Sequence, residues 1–154
     1  MFAICNAYSL VYNWFDNLKA NGHHIIGYVI MPHHVHAVIA FKNTGQTINT
    51  IVGNGKRFLA YDIVEILQKQ NRGLLISEMQ QMVNDTDKSR NKLHEVFEPS
   101  FDWKECRTSK FIQQKLQYMH NNPCKCNPGL ADTPEEYVHS SARFYLTGSK
   151  AFIL

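Results

Sequence analysis

Three histidines stand within four residues in "MPHHVHAVI", at His33, His34 and His36, and an apolar run follows them directly. On a strand, side chains alternate faces, so His34 and His36 point one way while Val35 between them points the other. That spacing makes a two-imidazole clamp for a metal ion. It suits equally well a pair of core histidines satisfied by hydrogen bonds. His33 follows Pro32 in the turn and is expected to face away from the pair, at the surface. A metal needs further ligands, and none stands nearby in the sequence.

The second group of interest is "QYMHNNP", Gln117 to Pro123. Wheeled as a helix at about 100° per residue, Ile112, Leu116 and Met119 form a core stripe. Phe111, Lys115, Tyr118 and Asn122 lie along its flank, with Tyr118 and Asn122 one turn apart. His120 falls roughly 160° around from Tyr118 and is expected outside any site those two form. Taken singly, Tyr118 reads as a packing residue with its hydroxyl at the surface, and Asn122 as a helix-terminal residue bonding its own backbone.

The elements that must position these residues are legible in outline. Leu10, Val11, Trp14, Phe15 and Leu18 fall at helical spacing, and Asn21-Gly22 supplies a stop. "HHIIGYVIM" and "HVHAVIAF" read as two strands joined by a short turn at Pro32, an antiparallel pair. Ile48, Ile51, Val52, Leu59, Ile63, Ile66 and Leu67 predict a long helix from Thr47 to about Gln70, weakened in its first half by Gly53 and Gly55. A shorter helix follows from Leu74 to Val83. "NDTDKSRNK" is polar and expected to be mobile, and "HEVFEPSFDW" alternates loosely enough to predict a strand or hairpin broken at Pro99. A last strong helix runs from about Ser109 to Asn122 and stops before Pro123. The order α-β-β-α-β-α predicts one α+β domain spanning residues 1–154, an antiparallel sheet with helices packed on one side.

At 154 residues and 44% hydrophobic, the chain can bury one core without staples. Its four cysteines, Cys5, Cys106, Cys124 and Cys126, are unevenly spread and no secretory signal is present, which predicts reduced thiols in the cytoplasm. Cys124 and Cys126 have no second Cys or His pair at zinc-finger spacing. The longest apolar run is far short of the ~20 residues of a membrane span. The net charge of +3 permits nucleic-acid binding without demanding it. Lys104, Arg107, Lys110, Lys115 and Lys125 stand against Glu105 alone in the segment from Lys104 to Cys126. A solvated helix face accounts for such a run as readily as a phosphate site does.

Together the motifs point further. "GYVIMPHHVHAVI" resembles the histidine motif of the HUH single-tyrosine transposases, IS200-like, and in particular the REP-associated tyrosine transposase branch, where the segment usually reads Met-Pro-Asn-His-Val-His. "QYMHNNP" resembles the tyrosine-bearing motif of the same group, and "SSARFY", Ser140 to Tyr145, is similar to a downstream Ser-Ser-x-x-x-Tyr. The likeness covers nearly the whole chain in the right order. It departs at His33, where the family commonly has asparagine.

The resemblance implies a ferredoxin-like HUH nuclease fold, usually a homodimer, acting on single-stranded or hairpin DNA. It makes His34 and His36 two metal ligands, Asn122 the third, and Tyr118 the nucleophile that leaves a 5′-phosphotyrosine and a free 3′-hydroxyl. Mg²⁺ or Mn²⁺ suits such a donor set better than zinc, which prefers thiolates. Lys115, one turn before Tyr118, is a candidate either to favour the phenolate or to grip a phosphate. Lys56, Arg57, Lys104, Arg107 and Lys110 are the candidate phosphate contacts, and Phe101, Trp103 and Phe111 could stack on bases. Two alternatives stay open: a catalytically inactive relative that binds hairpin DNA, and an unrelated metal-dependent hydrolase in which Tyr118 only packs. In the family a strand precedes the first helix, whereas "MFAIC" is too short for one with its turn. The chain therefore reads as truncated there, which predicts an open sheet edge and weak transposase activity unless dimerisation covers the gap.

Overall fold

The computed structural model describes residues 2–149. Two compact units emerge, one of residues 45–103 and the other of residues 2–44 with 104–149. Among the described residues there are seven α-helices and one two-stranded antiparallel sheet, an α+β chain. No helix is long and apolar enough to cross a membrane.

The second unit carries both motifs. Helix α1 (Tyr8–Ala20) buries Val11, Phe15 and Leu18, the positions the spacing predicts. Strands β1 (His24–Ile30) and β2 (Val35–Ala40) form the expected hairpin. Its turn is closed by the Met31 N–H donating to His34 O at 2.8 Å. Helix α5 (Ser109–His120) is capped by Thr108, whose hydroxyl accepts the Phe111 N–H at 3.2 Å. It ends two residues earlier than the sequence predicts. Asn122 instead opens a one-turn helix, α6 (Asn122–Lys125), because Pro123 has no N–H for the α5 ladder and fits the first turn of a new helix.

The faces of the hairpin follow from its register. Val29 lies opposite His36, and residues paired across a sheet share a face. Val29 and Met31 join Leu116 and Met119 of α5, with Tyr137, in one buried cluster against which Val38 and Ile112 pack. The alternate residue Tyr28 meets the rings of Tyr12 and Phe15 on α1, at 5.8 and 5.3 Å between centroids. Helices thus cover both faces of the hairpin rather than one. At Gly27 the strand lies close against α5: a Cβ there would stand 2.4 Å from Leu116 Cδ2 and 2.8 Å from Met119 Cε.

The edge of β1 away from β2 is partly paired. The Ile30 N–H donates to His139 O at 2.8 Å, and the Ser141 N–H donates to Tyr28 O at 3.0 Å, around a bridge between Val29 and Ser140. Helix α7 (Ala142–Thr147) follows, and the Tyr145 hydroxyl donates to Ile26 O. Before α1 no strand is present among the described residues. Residues 2–6 form turns, with the Ala7 N–H donating to Phe2 O at 2.9 Å and the Phe2 and Cys5 side chains buried.

The first unit holds α2 (Ile48–Lys69), α3 (Gly73–Gln81) and α4 (Asp85–Lys88). Helix α2 runs unbroken through both glycines, since Gly55 lies on the same buried stripe as Ile51 and Leu59. The polar stretch after α3 is not formless: Asn84 caps α4 by accepting the Asp87 N–H at 2.9 Å, and Lys92 bridges Asp87 and Glu95. The strand predicted over residues 94–103 does not form. Its backbone groups find other partners, the Glu95 N–H going to Met79 O and the carbonyls of Glu98, Pro99 and Ser100 to the Lys56 ammonium.

Candidate active site

His36 stands on β2 opposite Val29, so strand register alone turns its ring to the α5 side of the hairpin. His34 lies just before the strand and takes the same side, with the two ring centroids 4.8 Å apart and nearly perpendicular. Helix α5 packs on both strands and presents Tyr118 there, its ring centroid 6.1 Å from that of His36. The structure thus brings residues of the two motifs together, although the motifs are far apart in the chain. Tyr118 is 59% exposed, so its hydroxyl is open to a large ligand.

Both imidazoles are held neutral. Although His34 as a residue stays exposed, its ring is packed between those of His33 and His36. Desolvation, with the neighbouring His36 and His33 rings, pushes it down to about 4. Burial likewise lowers His36. A neutral imidazole offers a lone pair, which is what a metal ligand requires. His33 is exposed as expected, yet its ring centroid lies 4.9 Å from that of His34, closer than a side chain facing clear of the pair would be.

Asn122, at the start of α6, contributes a different signal. Its Nδ2 is a buried side-chain atom with no hydrogen-bond partner among the described residues. A half-turn of the amide exchanges Nδ2 with Oδ1, an acceptor, at that position. An unsatisfied buried amide is costly, which makes it a reasonable place for a ligand. Among the described residues no group of three or more His, Cys, Asp or Glu is arranged to hold a metal ion. The geometry thus joins the two imidazoles to each other, and a metal ion held by them would need further donors.

The candidate cations divide between the two units. Lys115 places its ammonium 5.1 Å from the centre of the Phe111 ring, on the N-terminal side of Tyr118. Lys104 and Lys110 are exposed, and Arg107 is exposed but bonded to Glu105 at 2.8 Å. Lys56 and Arg57 belong to the other unit. The Lys56 ammonium is committed to the carbonyls of Glu98, Pro99 and Ser100, while Arg57 lies over the Phe58 ring at 5.0 Å. Of the three aromatic candidates, Trp103 is exposed, Phe101 is half-buried, and Phe111 is half-buried beneath Lys115.

Two residues beyond the predicted set form a buried polar contact on the helix that bears Tyr118. His120 is buried and bonded to Ser141, and burial pushes its imidazole down to about 4. The sequence did carry a sign of this: His120 stands four residues after Leu116, on the core stripe of α5, where a histidine requires a buried partner. In comparisons with known proteins, no family model, no curated protein and no solved structure matches this chain.

Proposed function

We propose that this chain is a metal-dependent single-stranded DNA endonuclease and strand-transferase of the HUH single-tyrosine type, working in the cytoplasm as a homodimer on single-stranded or hairpin DNA. One observation carries the reading: two imidazoles and a surface tyrosine, from the two separate motifs that carry the resemblance, share one side of the hairpin, with His36 and Tyr118 6.1 Å apart between ring centroids. The α-helices on an antiparallel hairpin agree with a ferredoxin-like HUH fold in its coarse class. On this reading His34, His36 and Asn122 hold Mg²⁺ or Mn²⁺, and the unpartnered buried amide of Asn122 is the observation that favours that donor set. The ion supplies Lewis acidity at the scissile phosphate.

The chain's own residues do the rest. The Tyr118 oxygen attacks phosphorus in line, its O–P bond forms as the P–O3′ bond breaks, and the phenolic proton passes to solvent while the 3′-oxygen takes one up. The phosphodiester is conserved as a phosphotyrosine, so rejoining needs no nucleotide cofactor. Lys104, Arg107 and Lys110 lead into or lie on the helix that bears the tyrosine, where they bind backbone phosphates and bring strand to nucleophile. Incubation with a random pool of single-stranded DNA and Mn²⁺ tests the proposal. A protein–DNA adduct that survives denaturation is expected, and DNA fragments released without any adduct would favour a hydrolase instead.

A further inference from the structure

The face of α5 turned away from Tyr118 carries a polar contact into the protein interior. His120 is 5% exposed, and its Nε2 stands 2.8 Å from the Oγ of Ser141, also buried. Ser141 Oγ accepts the Tyr28 N–H at 2.9 Å and lies 3.2 Å from Tyr28 O. With its proton on Nε2, His120 donates to Ser141, and the serine proton goes to Tyr28 O. One hydroxyl then uses both lone pairs and its proton, on groups from α5 and β1. Tyr28 pairs with Ala37, the neighbour of His36 on β2. A short chain of directional bonds therefore joins the helix of the tyrosine to the strand pair of the histidines.

Beside this bond, Leu116 and Met119 pack in one cluster with Val29 and Met31, contacts that are apolar and non-directional. They hold α5 down without fixing its rotation or its height along the sheet. A hydrogen bond fixes both, because it weakens steeply with distance and angle. We infer that His120 and Ser141 are positioning residues that set α5 at the rotation and height where Tyr118 meets His36. Their relevance to catalysis rests on the proposed role of Tyr118, but the positioning itself does not.

The test uses the full chain with meta-fluorotyrosine placed at position 118 only, and reads its fluorine NMR signal in His120→Ala, His120→Gln and Ser141→Ala. Ile112→Val, a loss of apolar packing on the same helix, serves as control. Glutamine places an amide N–H near the imidazole Nε2 and can still donate to Ser141. Both alanine variants should move or broaden the Tyr118 signal, His120→Gln should return it toward the unsubstituted chain, and Ile112→Val should leave it in place. Adduct formation at saturating DNA should slow about 10- to 100-fold in the alanine variants, as a misplaced nucleophile predicts. The DNA concentration for half-saturation should stay within about twofold. An unmoved signal in a folded alanine variant, or the same movement in Ile112→Val, overturns the inference. If His120→Ala does not fold, Ser141→Ala breaks the same bond from the other side. A chain that forms no adduct at all counts against the tyrosine chemistry alone, because the fluorine signal still decides the positioning.

Discussion

Tyr118 is an exposed residue, so its hydroxyl contributes little to folding and the proposed chemistry can be separated from stability. Tyr118→Phe is expected to change unfolding free energy by less than ~0.5 kcal/mol, the range of ordinary surface substitutions. It should abolish the covalent adduct, as read by chemical denaturation alongside a denaturing gel. His36→Ala makes a complementary prediction. Removing one imidazole should eliminate Mn²⁺-dependent cleavage while most DNA binding persists, since the proposed phosphate contacts are made by cations other than His36. Cleavage retained in that variant would remove His36 from the site.

At the scale of elements, the seam between β1 and α5 and the loop around Lys56 each make a prediction. Gly27→Ala adds a methyl within 2.4 Å of Leu116 Cδ2 and 2.8 Å of Met119 Cε, side-chain ends that are themselves in a packed core. A destabilisation of ~1–3 kcal/mol is expected from such overpacking. The adduct should also form more slowly, as single-turnover rates would show. Lys56 is the sharper case, because the sequence marks it as a phosphate contact whereas its ammonium serves three carbonyls of residues 98–100. Lys56→Ala should lower stability by about 1 kcal/mol while shifting DNA affinity less than Lys110→Ala does.

The same elements mark what the sequence could and could not reveal. The hairpin was legible because β-branched runs flank a two-residue turn, and its register then placed His36 without further information. The residues from His94 to Trp103 misled, because alternation suggests a strand only when a neighbouring strand satisfies the backbone, and here Met79 and Lys56 do so. The break between α5 and α6 at Asn121 shifts a boundary by two residues and makes Asn122 the start of a helix rather than the end of one. The pairing of His120 with Ser141 joins positions far apart in the chain, which local periodicity cannot report.

Across the whole molecule, buried imidazoles set the acid limit of stability. His120 is pushed down to about 4, and His139, stacked on Tyr8 at 3.7 Å and bonded through Nδ1 to the Tyr12 hydroxyl at 3.2 Å, is lowered by burial as well. Both bind a proton more readily when unfolded, so their contribution to stability is complete above the unfolded value near 6.5 and is lost as pH falls below it, for His120 toward about 4. The urea midpoint of the metal-free chain should fall steadily from about pH 7 to about pH 5, and a flat profile would contradict this. His36 and Tyr118 of the same chain already meet, which predicts that mixing His36→Ala with Tyr118→Phe chains restores no adduct. Recovered activity would instead place the two residues of each site on different subunits. The most direct measurement of the central claim is peptide mapping of the adduct formed with Mn²⁺ and single-stranded DNA. After nuclease and trypsin digestion, the account predicts residual nucleotide mass on the peptide Leu116–Lys125, whose single tyrosine is Tyr118. Nucleotide mass on any other tyrosine peptide would contradict it.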